Sequence, residues 1–340
     1  PQWLLATVEM EPAIAAKVTA YLELLAWGLP ASLFYRTFYA FCNALGKPRV
    51  LMGIGLASLA LHALLAWGLA LAGWAGEPLG VIGCAFSNVV IAWLACLSGA
   101  AYLAWGPLGA RYRPFANWAP PDVRRWRELL HLGLPMGLSN LVEITSFTLI
   151  SLFIASLGAT VVAGHRIIAN ISALTYMLPL SLAIATMAAV GQAVGGRDWP
   201  RAHATIKAGL ILSALLSTLV GILLWFAATP LIAAYTDDPG VRAVARDLIV
   251  FVALYQFFDA LQTVAGHALR AYRVTFVPML VQTFCFWGVG LLGGSWLCFR
   301  WSPPLGVAGF WAASVLSLVL AAGLLLPLLH KAMQATESSP

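Results

Sequence analysis

At 340 residues, 61% hydrophobic and only 9% charged, with a mean hydropathy of +0.87, the chain departs from soluble globular composition, where about 25% of residues are charged. A soluble enzyme or binding domain is excluded, and the formal charge of +6 must be explained by its placement. Five cysteines lie in or beside apolar runs without CxxC or histidine-paired spacing, which points to packing and away from redox or metal work.

Nine apolar runs of membrane-spanning length follow in chain order, at about 17–45, 50–75, 79–105, 131–157, 161–194, 203–233, 241–269, 274–299 and 305–330. The expected fold is therefore an all-α polytopic membrane protein surrounded by lipid bilayer. Pro30, Pro135, Pro179 and Pro278 fall inside these runs, where they either kink a helix or open its carbonyls onto a cavity. The start at Pro1-Gln2, with neither an initiator Met nor a signal-peptide pattern, points to a fragment.

The longest connection, 106–130, is basic and proline-rich, and Asp122 is placed to cap a short amphipathic helix on the membrane surface. It is expected to link two halves, 1–105 and 131–330, with 331–340 as a tail. If the 46–49 loop is cytoplasmic, alternate connections put thirteen of the nineteen Lys and Arg residues on that side. The positive charge is then a topology signal of a multi-pass plasma-membrane protein, bacterial inner membrane in kind, and the nucleic-acid reading falls away.

The halves read as a repeat. Pro78-Leu79-Gly80-Val81-Ile82-Gly83 returns as Pro304-Leu305-Gly306-Val307-Ala308-Gly309, and Glu11-Pro12 returns as Asp238-Pro239. Segments one to three thus repeat as seven to nine, while segments four to six have no counterpart here. The expected whole is two lobes of six helices running in the same direction, of which about nine helices are present.

Two carboxylates lie deep in apolar runs, where charge is costly and functional by default. Asp259 has Tyr255, Gln256, Gln262 and Thr263 as helical neighbours; Glu143 has Ser139, Asn140, Ser146 and Phe147. Two acids in a desolvated cavity cannot both ionise comfortably, so one is expected to hold a proton near neutrality. This equips the pair to bind H⁺ or Na⁺ in exchange for a small cationic solute, the structural alternative being carboxylates paired with Arg166 or polar neighbours. Arg166 is also placed to snorkel to the surface, with Asn170 one turn on and Tyr176 beyond. The candidate cavity residues are Phe147, Asn140, Arg166, Asn170, Tyr176, Gln256 and Gln262, with Na⁺ or H⁺ at Glu143 and Asp259. His62, His165 and His267 stand singly and read as packed or interfacial. No GxxxxGK[ST], HExxH or GxSxG occurs, so neither bound ATP nor an organic cofactor is implied, and no obligate protein partner is inferred.

The run Ala253-Leu254-Tyr255-Gln256-Phe257-Phe258-Asp259-Ala260, ending in Gly266-His267-Ala268-Leu269-Arg270, resembles the tenth helix of multidrug and toxic compound extrusion (MATE) transporters of the NorM-like branch. Gly133-Leu134-Pro135 through Glu143 is similar to that family's seventh helix. Gly164-His165-Arg166 through Pro179-Leu180-Ser181, with Val190-Gly191-Gln192-Ala193-Val194-Gly195, resembles its eighth helix and the following loop, and Asn43-Ala44-Leu45-Gly46-Lys47-Pro48-Arg49 the end of its fourth. The resemblance implies a twelve-helix, two-lobe antiporter that expels cationic amphipathic drugs on a Na⁺ or H⁺ gradient by alternating access, and no enzyme. By the same resemblance Glu143 and Asp259 match the coupling carboxylates, and Tyr255 the aromatic beside the cation site. Arg166 stands where many relatives have Gln, and the family's first three helices have no match. The rivals are a lipid-linked oligosaccharide flippase of the same superfamily, expected to line its cavity with basic residues, and a membrane-embedded lipid enzyme, expected to cluster His/Asp or Ser/His at one interface.

Overall fold

Hydrocarbon offers no partner for a backbone N–H or C=O, so an uncharged run must satisfy its own, and only a helix does so within one segment. The computed structural model describes residues 12–74, 76–112 and 122–337, and every regular element among them is helical. The chain forms two compact units, Pro1–Pro120 and Pro121–Pro340.

The first unit contains α1 (Pro12–Ala44), α2 (Pro48–Ala70), α3 (Val81–Trp105) and a short α4 (Pro107–Tyr112). Its α3 packs on α1 and α2, around a small core of Phe38, Cys42, Leu51 and Leu108. Pro48 opens α2 at a position whose N–H has no helical partner.

The second unit contains α5 (Val123–Ile154), α6 (Ala159–Gly195), α7 (Trp199–Phe226), a short α8 (Ala228–Ala233), α9 (Pro239–Ala271), α10 (Phe276–Thr283), α11 (Gly294–Phe299) and α12 (Val307–Glu337). Between α10 and α11 the chain runs through Phe284–Gly293 in wide i→i+5 turns, so the three pieces make one span. At the centre is α9, which packs on α6, α7 and α12. In its most apolar window 61% is buried, against 28–44% for the other spans of this unit. Asp238 starts it by accepting from the Gly240 and Val241 backbone N–H groups at 2.7 and 3.1 Å, which fills two of the donors every helix start leaves open.

Eight described helices are long and apolar enough to cross a membrane, one fewer than expected. The ninth, α1, has the length at 33 residues but carries Lys17, Glu23 and Arg36, and falls short on composition. The expected surface helix after Asp122 is not separate. Asp122 accepts from Arg124 N at 2.9 Å, and the helix it caps continues through Pro135 to Ile154. Residues 123–132 contain neither Gly nor Pro, so nothing stops the helix before the membrane run, and Gly133 and Pro135 are accommodated within it. Residues 113–121 of the expected linker, and Glu11 of the repeat, lie outside the described residues.

A candidate ion and substrate cavity

Four helices of the second unit each turn one stripe toward a shared cavity of about 280 Å³. From α5 come Glu143, Phe147 and Ser151, at four-residue steps; from α6 come His165, Ser172 and Tyr176. Tyr255 and Asp259 face it from α9, and Phe310, Trp311 and Ser314 from α12. These intervals are the i, i+3 and i+4 steps that keep side chains on one helical face. Apart from the acids and a few hydroxyls, the walls are apolar and aromatic, as small-molecule sites are.

Asp259 is 3% exposed. Its Oδ1 accepts from Gln262 Nε2 at 3.0 Å, and that same amide donates to Thr263 Oγ1 at 3.0 Å. The carbonyl end of Gln262 in turn accepts from Gln282 Nε2 of α10 at 3.4 Å. On the facing helix Glu143 Oε1 accepts from Tyr176 O–H at 3.5 Å. An aromatic wall joins the two sides. Phe147 meets Tyr255 edge-on at 6.2 Å, and Tyr255 meets Trp311 at 6.1 Å, a geometry in which a positive edge points at a negative ring face. Such faces also attract cations. The donor set around the two acids is all oxygen, which suits a hard cation or a proton. No Lys or Arg lines the cavity. Among the described residues, no three His, Cys, Asp or Glu side chains cluster as a metal site.

The MatE family model matches residues 1–67 and 135–296. The chain belongs to the MATE family. A probable multidrug resistance protein NorM of Aromatoleum aromaticum is 49% identical over 99% of this chain and 74% of its own length. The multidrug resistance protein PmpM of Pseudomonas aeruginosa is 34% identical over 94% of this chain and 67% of its own. Among solved structures, the eukaryotic MATE transporter AtDTX14 superposes with a TM-score of 0.87 at 18% identity, covering 98% of this chain and 74% of that one. An outward-facing MATE family transporter of the MOP superfamily gives the same score at 15% identity. The fold is thus the MATE fold, and the protein is a multi-pass membrane protein of a transporter family, so the enzyme reading drops out.

Within this MATE chain the sequence-derived residues fall into three places. Glu143, Phe147, Tyr176, Tyr255 and Asp259 line the cavity. Gln256 and Gln262 are each 1% exposed and sit at helix contacts. Gln256 donates to Ser172 O and Thr175 Oγ1 across the α9–α6 seam, and Gln262 stands behind Asp259. Asn140, Arg166 and Asn170 are exposed. Asn140 accepts from Arg270 at 3.4 Å, Asn170 accepts from Tyr235 O–H at 2.8 Å, and Arg166 makes no ion pair among the described residues. Ser151 and Trp311, which the sequence did not single out, also line the cavity, as does His165, read from the sequence as a packed or interfacial histidine and here buried. The signal was available: Ser151 is two turns beyond Glu143, and His165 three turns before Tyr176, on the same faces.

Proposed function

We propose that the protein is a cation-coupled antiporter of the bacterial inner membrane that exports cationic amphipathic compounds. The observation that carries this reading is the meeting of two membrane-depth carboxylates, from α5 and α9, in one cavity whose remaining walls are aromatic and apolar. The multidrug-resistance names of its relatives support it. Glu143 and Asp259 hold H⁺ or Na⁺, Tyr255 and Phe147 pack on the substrate's apolar body, and ion and drug exclude each other because both need the same negative charge. Alternating exposure of the cavity to the two membrane faces then converts the ion gradient into export. The flippase rival expects basic side chains for a phosphate, and the cavity lining has no Lys or Arg.

The test is efflux of a fluorescent cationic dye from vesicles carrying the protein, with Na⁺ and proton gradients imposed separately. Movement under one gradient that disappears in Asp259→Asn, with the variant still in the membrane, is the expected result and names the ion. Undiminished efflux in Asp259→Asn would sink the assignment.

A further inference from the structure

The cavity has a second polar end, remote from the acids. There Trp311 Nε1–H donates to His165 Nδ1 at 3.3 Å, and His165 Nε2 lies 3.3 Å from Ser151 Oγ. Their chemistry fixes the direction of this chain. An indole N–H only donates, so Nδ1 of His165 accepts, and a neutral imidazole that accepts at Nδ1 carries its proton at Nε2. That proton points at Ser151 Oγ, which therefore accepts. The serine's own O–H has no protein acceptor among the described residues, and Ser151 is part of the cavity lining. Three groups in series thus leave the hydroxyl of a cavity-lining serine with an unused donor. His165 is 5% exposed and Trp311 6%, and the two rings pack at 5.9 Å, so the polarity is set by buried groups.

Ser151 and Glu143 are eight residues apart on one helix, which at the α-helical rise is about 12 Å. Phe147 stands between them on the same helix, and the ring contacts from Phe147 to Tyr255 and from Tyr255 to Trp311 run along the same cavity.

We infer that Ser151, held by His165 and Trp311, is a specificity subsite for a hydrogen-bond acceptor on the substrate. The preferred substrate class is an amphipathic cation with an aromatic body and, about 12 Å from its charge, a carbonyl, ether or similar acceptor oxygen. This deepens the export reading and rests on it. Ser151 contacts the substrate; His165 and Trp311 are positioning residues that act through it. A site built to hydrogen-bond a substrate group discriminates against an analogue without it, because its own donor is then left unpaired in a dry cavity.

The experiment is equilibrium binding to the purified full chain of two radiolabelled probes of matched shape. One is a biphenyl-trimethylammonium ion ending in a para acetyl group; the other is its isostere ending in isopropenyl, which lacks the acceptor. The wild type is expected to bind the ketone about tenfold more tightly. In Ser151→Ala the ratio collapses to about one, with the ketone losing affinity and the alkene gaining it because no donor is left unpaired, a pattern that general loss of structure would not give. Trp311→Phe keeps the ring and removes the N–H that sets the direction; it reduces the ratio, and it serves if Ser151→Ala misfolds. Equal binding of both probes by the wild type, or a ratio that survives Ser151→Ala and Trp311→Phe, overturns the subsite. Failure of both probes to bind removes the substrate cavity and the subsite together. Binding with the expected ratio but no dye efflux contradicts the transport reading alone and leaves the subsite standing.

Discussion

Asp259 faces the cavity on one side and is held by a chain of amides on the other. Gln282 donates to the carbonyl of Gln262, so the Gln262 amide nitrogen is turned toward Asp259 and Thr263. Replacing Gln282 by Leu strands a buried carbonyl and frees the Gln262 side chain to rotate; a loss of about 1–3 kcal/mol is expected, read as a lower midpoint in thermal unfolding of the detergent-solubilised protein. The two acids also predict a pH dependence whose sign follows from mass action. A cationic dye binds ionised carboxylates, and a proton competes for the same oxygens. Dye affinity in the wild type therefore weakens as pH falls, by up to about tenfold per pH unit for each linked proton. Dye titrations in Asp259→Asn should show a flatter profile. An unchanged slope in that variant would remove Asp259 from the competition.

At the scale of elements, the repeated hexapeptide has one structural reason in both places. Gly80 and Gly306 take φ of +56° and +57°, a region that favours glycine. Three residues on, a Cβ on Gly83 would lie 2.9 Å from the backbone of Ala70, and one on Gly309 would lie 2.9 Å from the backbone of Cys298. Each glycine lets a helix start close against the end of the preceding one. Gly309→Ala must push that backbone away and is expected to cost about 1–3 kcal/mol, whereas Gly323→Ala on the same helix meets open space and should be neutral or slightly stabilising. Paired thermal unfolding of the two variants checks this. Removing the Asp238 cap of α9 by Asp238→Ala should cost about 1 kcal/mol. In the sequence the hexapeptides and Asp238-Pro239 were legible as repeated marks, while the helix starts they build show only in the fold. The wide turns of Phe284–Gly293 were not legible, since a glycine-rich apolar run looks the same whether its turns close at four residues or five. The unbroken α5 was hidden by the basic residues 124–127, whose charge reads as surface although nothing there stops a helix.

For the whole molecule, composition and the length of the apolar runs were enough for the all-α membrane class, because hydropathy is written along the chain. The cavity was legible only in part. Helical spacing shows which residues share a face, so Glu143 with Phe147 and Tyr255 with Asp259 could be grouped. Which face turns inward is decided by neighbouring helices, and polarity alone misleads. Asn140, Arg166 and Asn170 are polar and exposed, while His165 and Trp311 look like packing residues and line the cavity. Coupled export requires one cavity in the second unit to bind ion and drug in exclusion of each other. The measurement that tests it most directly is release of the bound ion when a cationic dye is added to the purified protein, followed by proton uptake in weak buffer and by radioactive Na⁺ in parallel. One of the two ions is expected to be released in proportion to dye bound, and that release is expected to be lost in Asp259→Asn. Saturable dye binding with no release of either ion would contradict that exclusion.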